Sequence, residues 1–241
     1  MNPFTTIPKL IRGLGEIKRY NSLKPEFNKL REEGRIEDEQ ELIRLGQKKW
    51  VEATAKKLKM DIEVSGRENL PEEGPFMIYS NHQGFADIAA IVWACKDHCQ
   101  IGFVAKDEWR KNRVLKESIK YTRSIFLKRD GGRSAVKAIT EAKELLGQGF
   151  NLAIFPEGTR SQCHEMGEFK SGAFKFAEKA KVPILPVTVD GSYQFFEEKH
   201  SFQPSHIKVT IHPIVHIEEM NKHQQKKAAS EIESTIRGAL D

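Results

Sequence analysis

The apolar residues near the start of the chain, Phe4, Ile7, Leu10, Ile11, Leu14 and Ile17, recur at helical spacing, with Lys9, Arg12, Glu16 and Arg19 on the other side. This pattern predicts a basic amphipathic helix over 1–24. After the Lys24-Pro25 break, residues 36–59 predict a long helix. Its early acids (Glu37, Asp38, Glu39, Glu41) and late lysines (Lys48, Lys49, Lys56, Lys57, Lys59) complement the helix dipole at both ends. The punctuated stretch from Gly66 to Gly74 separates this helical front from the rest of the chain. Short apolar runs at 75–79, 101–105, 125–127, 151–155, 184–189 and 207–217 then predict strands, and 87–97, 107–121, 133–147, 171–180 and 219–238 predict helices. Such alternation implies an α/β fold: a largely parallel or mixed central sheet flanked by helices, mixed towards its C-terminal end. The expected division is an N-terminal helical extension over 1–60, lying at a membrane interface, and an α/β domain over 61–241.

Composition narrows the function. With 39% hydrophobic and 30% charged residues, the 241-residue chain is too apolar for disorder and too charged for a polytopic membrane protein. No run approaches the roughly 18 to 20 apolar residues of a spanning helix, and no charged start leads into a signal-peptide core. Membrane contact is therefore expected to be peripheral. The net charge of +5 favours an anionic partner without choosing among nucleic acid, bilayer and phosphorylated metabolite. No nucleic-acid-binding module and no sheet of interleaved aromatic and basic residues is present, so nucleic acid is not an expected partner. Cys95, Cys99 and Cys163 form no secreted disulfide pattern, which points to a reducing, cytoplasmic setting.

Two segments could carry chemistry. Ser80-Asn81-His82-Gln83-Gly84-Phe85-Ala86-Asp87 follows the run PFMIY, and loops beyond strand C-termini are where open α/β sheets bind ligands. Once the chain turns into a helix, Asp87 can orient the His82 imidazole and stabilise its cation, leaving the other ring nitrogen to accept a proton. By itself such a pair more often marks a loop histidine beside a helix-capping aspartate. Phe155-Pro156-Glu157-Gly158-Thr159-Arg160-Ser161 also follows a strand-like run. Gly158 permits close backbone approach, Arg160 offers a planar fork for phosphate, and Glu157 can hold that fork or orient a neighbour. An ordinary turn with a surface ion pair has the same residues.

Together with two further blocks, these segments resemble the glycerolipid acyltransferase family, in particular its 1-acylglycerol-3-phosphate acyltransferases. The resemblance spans about Val64 to Val189 in four ordered blocks. VSGRENLPEEGPFMIYSNHQGFAD places His82 and Asp87 at the catalytic positions, and SIFLKRDGGRSA places Arg129 at the family's arginine. FPEGTRS matches the third block with Glu157, Gly158, Thr159 and Arg160, and VPILPVTV matches the fourth with Pro186. FVAKDEW, between the first two blocks, nominates Lys106. Gly84 stands where the family carries Ser; Arg123 and Lys128 stand where it carries Gly and Asp.

Other readings have less support. There is no G-x-S-x-G elbow for a serine hydrolase, and Gly13-Leu14-Gly15 lacks a dinucleotide fingerprint. Cys95, His98, Cys99, Cys163 and His164 match no zinc spacing, and His206, His212 and His216 are expected on one solvated strand face. The resemblance implies an enzyme that moves a fatty acyl group from an acyl thioester, on acyl carrier protein or coenzyme A, to the hydroxyl of lysophosphatidic acid, giving phosphatidic acid in phospholipid synthesis. His82 would be the base, Asp87 its partner, and backbone near Gly158 an oxyanion donor, with no metal or cofactor required. Lys106, Arg129 and Arg160 would converge on the acceptor phosphate. The alternatives are the same chemistry on glycerol 3-phosphate or another lysophospholipid, or a non-catalytic binder of anionic lipid. The expected location is the cytoplasmic face of the cell membrane, reached through residues 1–24 on an anionic membrane surface.

Overall fold

Apolar runs without alternation belong to strands covered on both faces, and the central strands here are of that kind. The computed structural model describes residues 15–128 and 132–240. Strands β1 (Met60–Ser65), β2 (Met77–Ser80), β3 (Gly102–Lys106), β4 (Ile125–Leu127), β5 (Leu152–Ile154), β6 (Ile184–Asp190) and β7 (Ser205–Ile211) form one sheet, ordered β1-β7-β6-β2-β5-β3-β4. Every pairing is parallel except β6 with β7, so the expected mixing falls at the C-terminal strand. Met77, Tyr79, Leu152 and Ile154 face one apolar layer, and Ile78, Ala153, Leu185 and Val187 face the other.

Helices cover both faces. The described part of α1 is 15–21, followed by α2 (Lys24–Glu32), α3 (Ile36–Leu58), α4 (Ala86–Cys95), α5 (Arg113–Tyr121), α6 (Arg133–Gly147), α7 (Ser171–Ala180) and α8 (Lys222–Arg237). The first turn of α3 carries Glu37, Asp38 and Glu39 and its last turn Lys56 and Lys57, as the dipole favours. Asn112 and Asn221 cap α5 and α8 by accepting backbone N–H bonds, the second in a reciprocal capping box with Gln224.

Several elements differ from expectation. The chain breaks at 22–23, next to the expected position, and Pro25 opens a short helix that was not expected, α2, occupying its first turn where a missing N–H costs nothing. β1 was not expected, because a search for apolar runs passes over it; its apolar and polar residues alternate from Met60 to Ser65, the period of an edge strand exposed on one face. Asn112 divides 107–121 into a 3-10 turn (Asp107–Lys111) and α5. β7 stops at Ile211, just before His212-Pro213, since proline cannot donate to the ladder. The three histidines therefore share no strand face. His206 is exposed on β7, His212 is half-buried beyond it with Nε2 2.8 Å from Thr188 Oγ1, and His216 pairs with Glu218.

Residues 1–14 lie outside the described region, but 15–21 pack on the body. Tyr20 is buried and its hydroxyl donates to Tyr121 O at 3.2 Å, Asn21 Nδ2 donates to Val114 O at 2.8 Å, and buried Glu16 pairs with Lys57. A second tie joins α2 and α3 to the loop before β4: buried Glu39 accepts from Arg31 Nε at 2.6 Å and from Arg123 Nη2 at 2.6 Å and Nε at 2.8 Å. Arg123 sits at φ 55°, a backbone conformation glycine adopts more easily.

Candidate active site

Because β2, β3, β4, β5 and β6 run in one direction, the loops after them gather at one rim. Asn81 fixes the first loop to its neighbour strand, its amide nitrogen donating to Val189 O at 2.7 Å and its oxygen accepting from Val189 N at 2.8 Å. His82 follows immediately. Its Nδ1 lies 2.6 Å from Oδ2 of Asp87, which has turned inward on the first turn of α4 and is fully buried. That oxygen also accepts from Gly84 N at 2.9 Å, and Oδ1 accepts from the Ser192 hydroxyl. An ionised carboxylate only accepts, so Nδ1 carries the proton and Nε2 is left as the basic nitrogen. The imidazole stacks on Phe155, with centroids 3.9 Å apart and planes 12° apart.

The FPEGTRS loop is laced to the His82 loop by backbone bonds, Ser161 N to His82 O at 2.8 Å and Gln162 N to Gln83 O at 3.1 Å. Glu157 does not hold Arg160. It is buried, and it accepts from His82 N at 2.6 Å and Gly167 N at 2.8 Å. Burial pushes its carboxyl above the ordinary range, although both N–H bonds and the nearby histidine favour the charged form. Gly158, at φ +67°, closes the turn by donating its N–H to Phe155 O at 2.9 Å, so that donor is engaged within the turn. Arg160 donates to Glu197 Oε1 at 2.8 Å and lies over Phe85, its Cζ 3.7 Å from the ring centroid.

His82, Lys106, Gly158 and Arg160 line one cavity of about 570 Å³. Trp50, Leu58, Val92, Phe103 and Phe155 make most of its wall apolar, and it opens where Phe85, Ile88 and Trp109 remain exposed. Thr159 is exposed and outside that lining, and Arg129 lies outside the described residues. Two contributors escaped the sequence reading, Ser192 and Glu197. Both follow β6 at the same rim, and the rule that singled out the loops after β2 and β5 applies there equally. Cys95 and Cys99 lie on and just beyond α4 and Cys163 on the loop after β5, with no common ligand geometry. Among the described residues, the group close enough to hold a metal ion is His216, Glu218 and Glu219, away from this rim.

The sheet, the rim and the histidine–carboxylate pair beside an apolar cavity define an α/β fold with a candidate site at its strand ends. The chain belongs to the acyltransferase family, whose model matches residues 61–190. It is 30% identical over 187 residues to a probable 1-acyl-sn-glycerol-3-phosphate acyltransferase of Mycoplasma genitalium, covering 73% of this chain and 69% of that one. A 1-acyl-sn-glycerol-3-phosphate acyltransferase of Chlamydomonas reinhardtii is 31% identical over 156 residues, covering 63% of this chain and about half of the longer relative, 46%. The crystal structure of the 1-acyl-sn-glycerophosphate (LPA) acyltransferase PlsC from Thermotoga maritima superposes with a TM-score of 0.73 at 26% identity, covering 96% of each chain.

Proposed function

We propose that this protein transfers a fatty acyl group from an acyl thioester to the free hydroxyl of 1-acylglycerol 3-phosphate, giving phosphatidic acid. The observation that carries this reading is the His82–Asp87 pair opening onto an apolar cavity whose rim bears Lys106 and Arg160. In this scheme Nε2 of His82 takes the proton of the acceptor hydroxyl as its oxygen attacks the thioester carbonyl. Asp87 stabilises the resulting imidazolium, and the departing thiolate is protonated from it. Since Gly158 N is engaged, the oxyanion donor is assigned to the next cavity-lining residue of that turn, Arg160. Arg160 and Lys106, joined by Arg129, hold the acceptor phosphate, while the apolar wall takes an acyl chain. Glu157 positions the His82 backbone.

The acyl donor, on acyl carrier protein or coenzyme A, and the acceptor are tested together. Each labelled thioester is offered with lysophosphatidic acid, glycerol 3-phosphate and a lysophospholipid lacking a phosphomonoester. Preference for lysophosphatidic acid is expected, and equal rates on the third acceptor would sink the phosphate assignment. We further infer that residues 1–60 form a helical unit serving 61–241, whose basic start holds the enzyme on an anionic bilayer at the cytoplasmic face. Among the described residues no helix is long and apolar enough to cross a membrane. Replacing Lys9, Arg12, Lys18 and Arg19 by Gln should reduce flotation with anionic vesicles, and unchanged flotation would refute the anchor.

A further inference from the structure

We propose that Glu197 is a positioning residue that fixes the Arg160 guanidinium at the mouth of the cavity, and that residue 84 is glycine because the Glu197 carboxylate fills the space a side chain would need. The proposal rests on the acceptor-binding reading of Arg160 given above.

Glu197 is 4% exposed and lies outside the regular elements, just beyond β6. Its Oε1 accepts from Phe85 N at 2.9 Å and Arg160 Nη1 at 2.8 Å, while Oε2 is buried with no hydrogen-bond partner among the described residues. A carboxylate half-satisfied in this way is costly to bury, and burial pushes its proton affinity up. Stability gains little from such an arrangement, whereas a restrained arginine gains geometry. The guanidinium is held through Nη1 by the carboxylate and across its face by Phe85, 3.7 Å from Cζ. Arg160 and Phe85 line the same cavity as His82, so a fork held in this way faces the space an acceptor would enter.

Gly84 supplies an independent observation. An added Cβ would lie 2.5 Å from Glu197 Oε2, 2.9 Å from its Cδ and 3.2 Å from Ser192 O. No left-handed φ demands glycine here, so the demand is for space. Nor can the loop retreat cheaply, because Gly84 N donates to Asp87 Oδ2 at 2.9 Å. A side chain at 84 must displace the Glu197 carboxylate, and with it the hold on Arg160.

The test compares Glu197→Ala, Glu197→Gln, Gly84→Ala and the double variant Gly84→Ala/Glu197→Ala, with KM measured separately for lysophosphatidic acid and acyl donor, and melting temperature in parallel. Glu197→Ala should raise the acceptor KM about tenfold with the donor KM little changed. Glu197→Gln, still able to accept from both donors, should stay within about threefold. Gly84→Ala should reproduce the Glu197→Ala effect, and the double variant should be no worse than either single, the signature of two residues sharing one space. If Ala and Gln at 197 both lowered the acceptor KM, the carboxylate would be a competitor for Arg160 and the positioning role would be overturned. Additive losses in the double variant would overturn the shared-space claim. Absence of lysophosphatidic acid acylation by the wild type would refute the acceptor reading itself, and with it the positioning role. The melting-temperature cycle decides the Gly84–Glu197 coupling in that event too.

Discussion

Asp87→Asn isolates the electrostatic part of the proposed mechanism from its geometry. Oδ2 of Asp87 receives two donors, His82 Nδ1 at 2.6 Å and Gly84 N at 2.9 Å. The asparagine oxygen can occupy that place, and its NH₂ then faces the Ser192 hydroxyl, which has lone pairs to accept. The imidazole should keep its orientation. What disappears is the negative charge facing the imidazolium as the acceptor proton arrives, in a place with no solvent to replace it, since Asp87 is 0% exposed. Two unit charges about 4 Å apart at an effective dielectric of about 20 interact by about 4 kcal/mol. At about 1.36 kcal/mol per decade, that corresponds to roughly a 10³-fold fall in kcat. Steady-state transfer of a labelled acyl group to lysophosphatidic acid should show this fall with both KM values within about threefold of wild type, the pattern of an interaction made only in the transition state. His82→Ala should fall by about 10²- to 10⁴-fold, and the double variant should be no slower than His82→Ala. An Asp87→Asn enzyme with the wild-type melting temperature and kcat within tenfold of normal would refute the assignment of Asp87 as partner to a charged histidine.

Arg160→Ala should weaken acceptor binding by roughly ten- to a hundredfold, the equivalent of about 1.5 to 3 kcal/mol for a charge-assisted bond. A rise in the donor KM alone would reassign Arg160 to carrier docking. Glu39→Ala removes the shared partner of Arg31 and Arg123. Because both arginines keep some solvent contact, urea unfolding should show a loss near the lower end of the range for broken buried pairs, about 3 kcal/mol, and a loss below about 1 kcal/mol would mean that the tie is not structural. Burial holds the His212 imidazole below its ordinary value. The unfolded chain then binds more protons than the folded one between that lowered value and about 6.5, so stability should fall as pH drops through this window. His212→Gln should flatten the melting-temperature slope there, and an unchanged slope would locate the dependence elsewhere.

Local pattern determined much of this protein independently of any tertiary contact. Apolar runs between turn residues located six of the strands, and the runs of helical period at 133–147 and 171–180 match α6 and α7 end to end. Family membership was legible in the same way, because the His82–Asp87 and FPEGTRS blocks are short stretches whose order survives in the linear chain. β1 was missed although its apolar and polar residues alternate, since an edge strand with one exposed face shows period-2 alternation and no continuous apolar run. The partners of the site were not legible. Glu157 has the chemistry to clasp its neighbour Arg160, yet folding turns it beneath His82, 75 positions away, because a buried carboxylate needs N–H donors and the His82 and Gly167 backbones supply them. The guanidinium goes instead to Glu197, 37 residues further on, and Asp87 meets Ser192 across a separation of 105. These pairings exist because parallel strands bring the ends of β2, β5 and β6 to one rim. Residue type sets which bonds a side chain can make, and the crossing of the chain decides which partner is within reach.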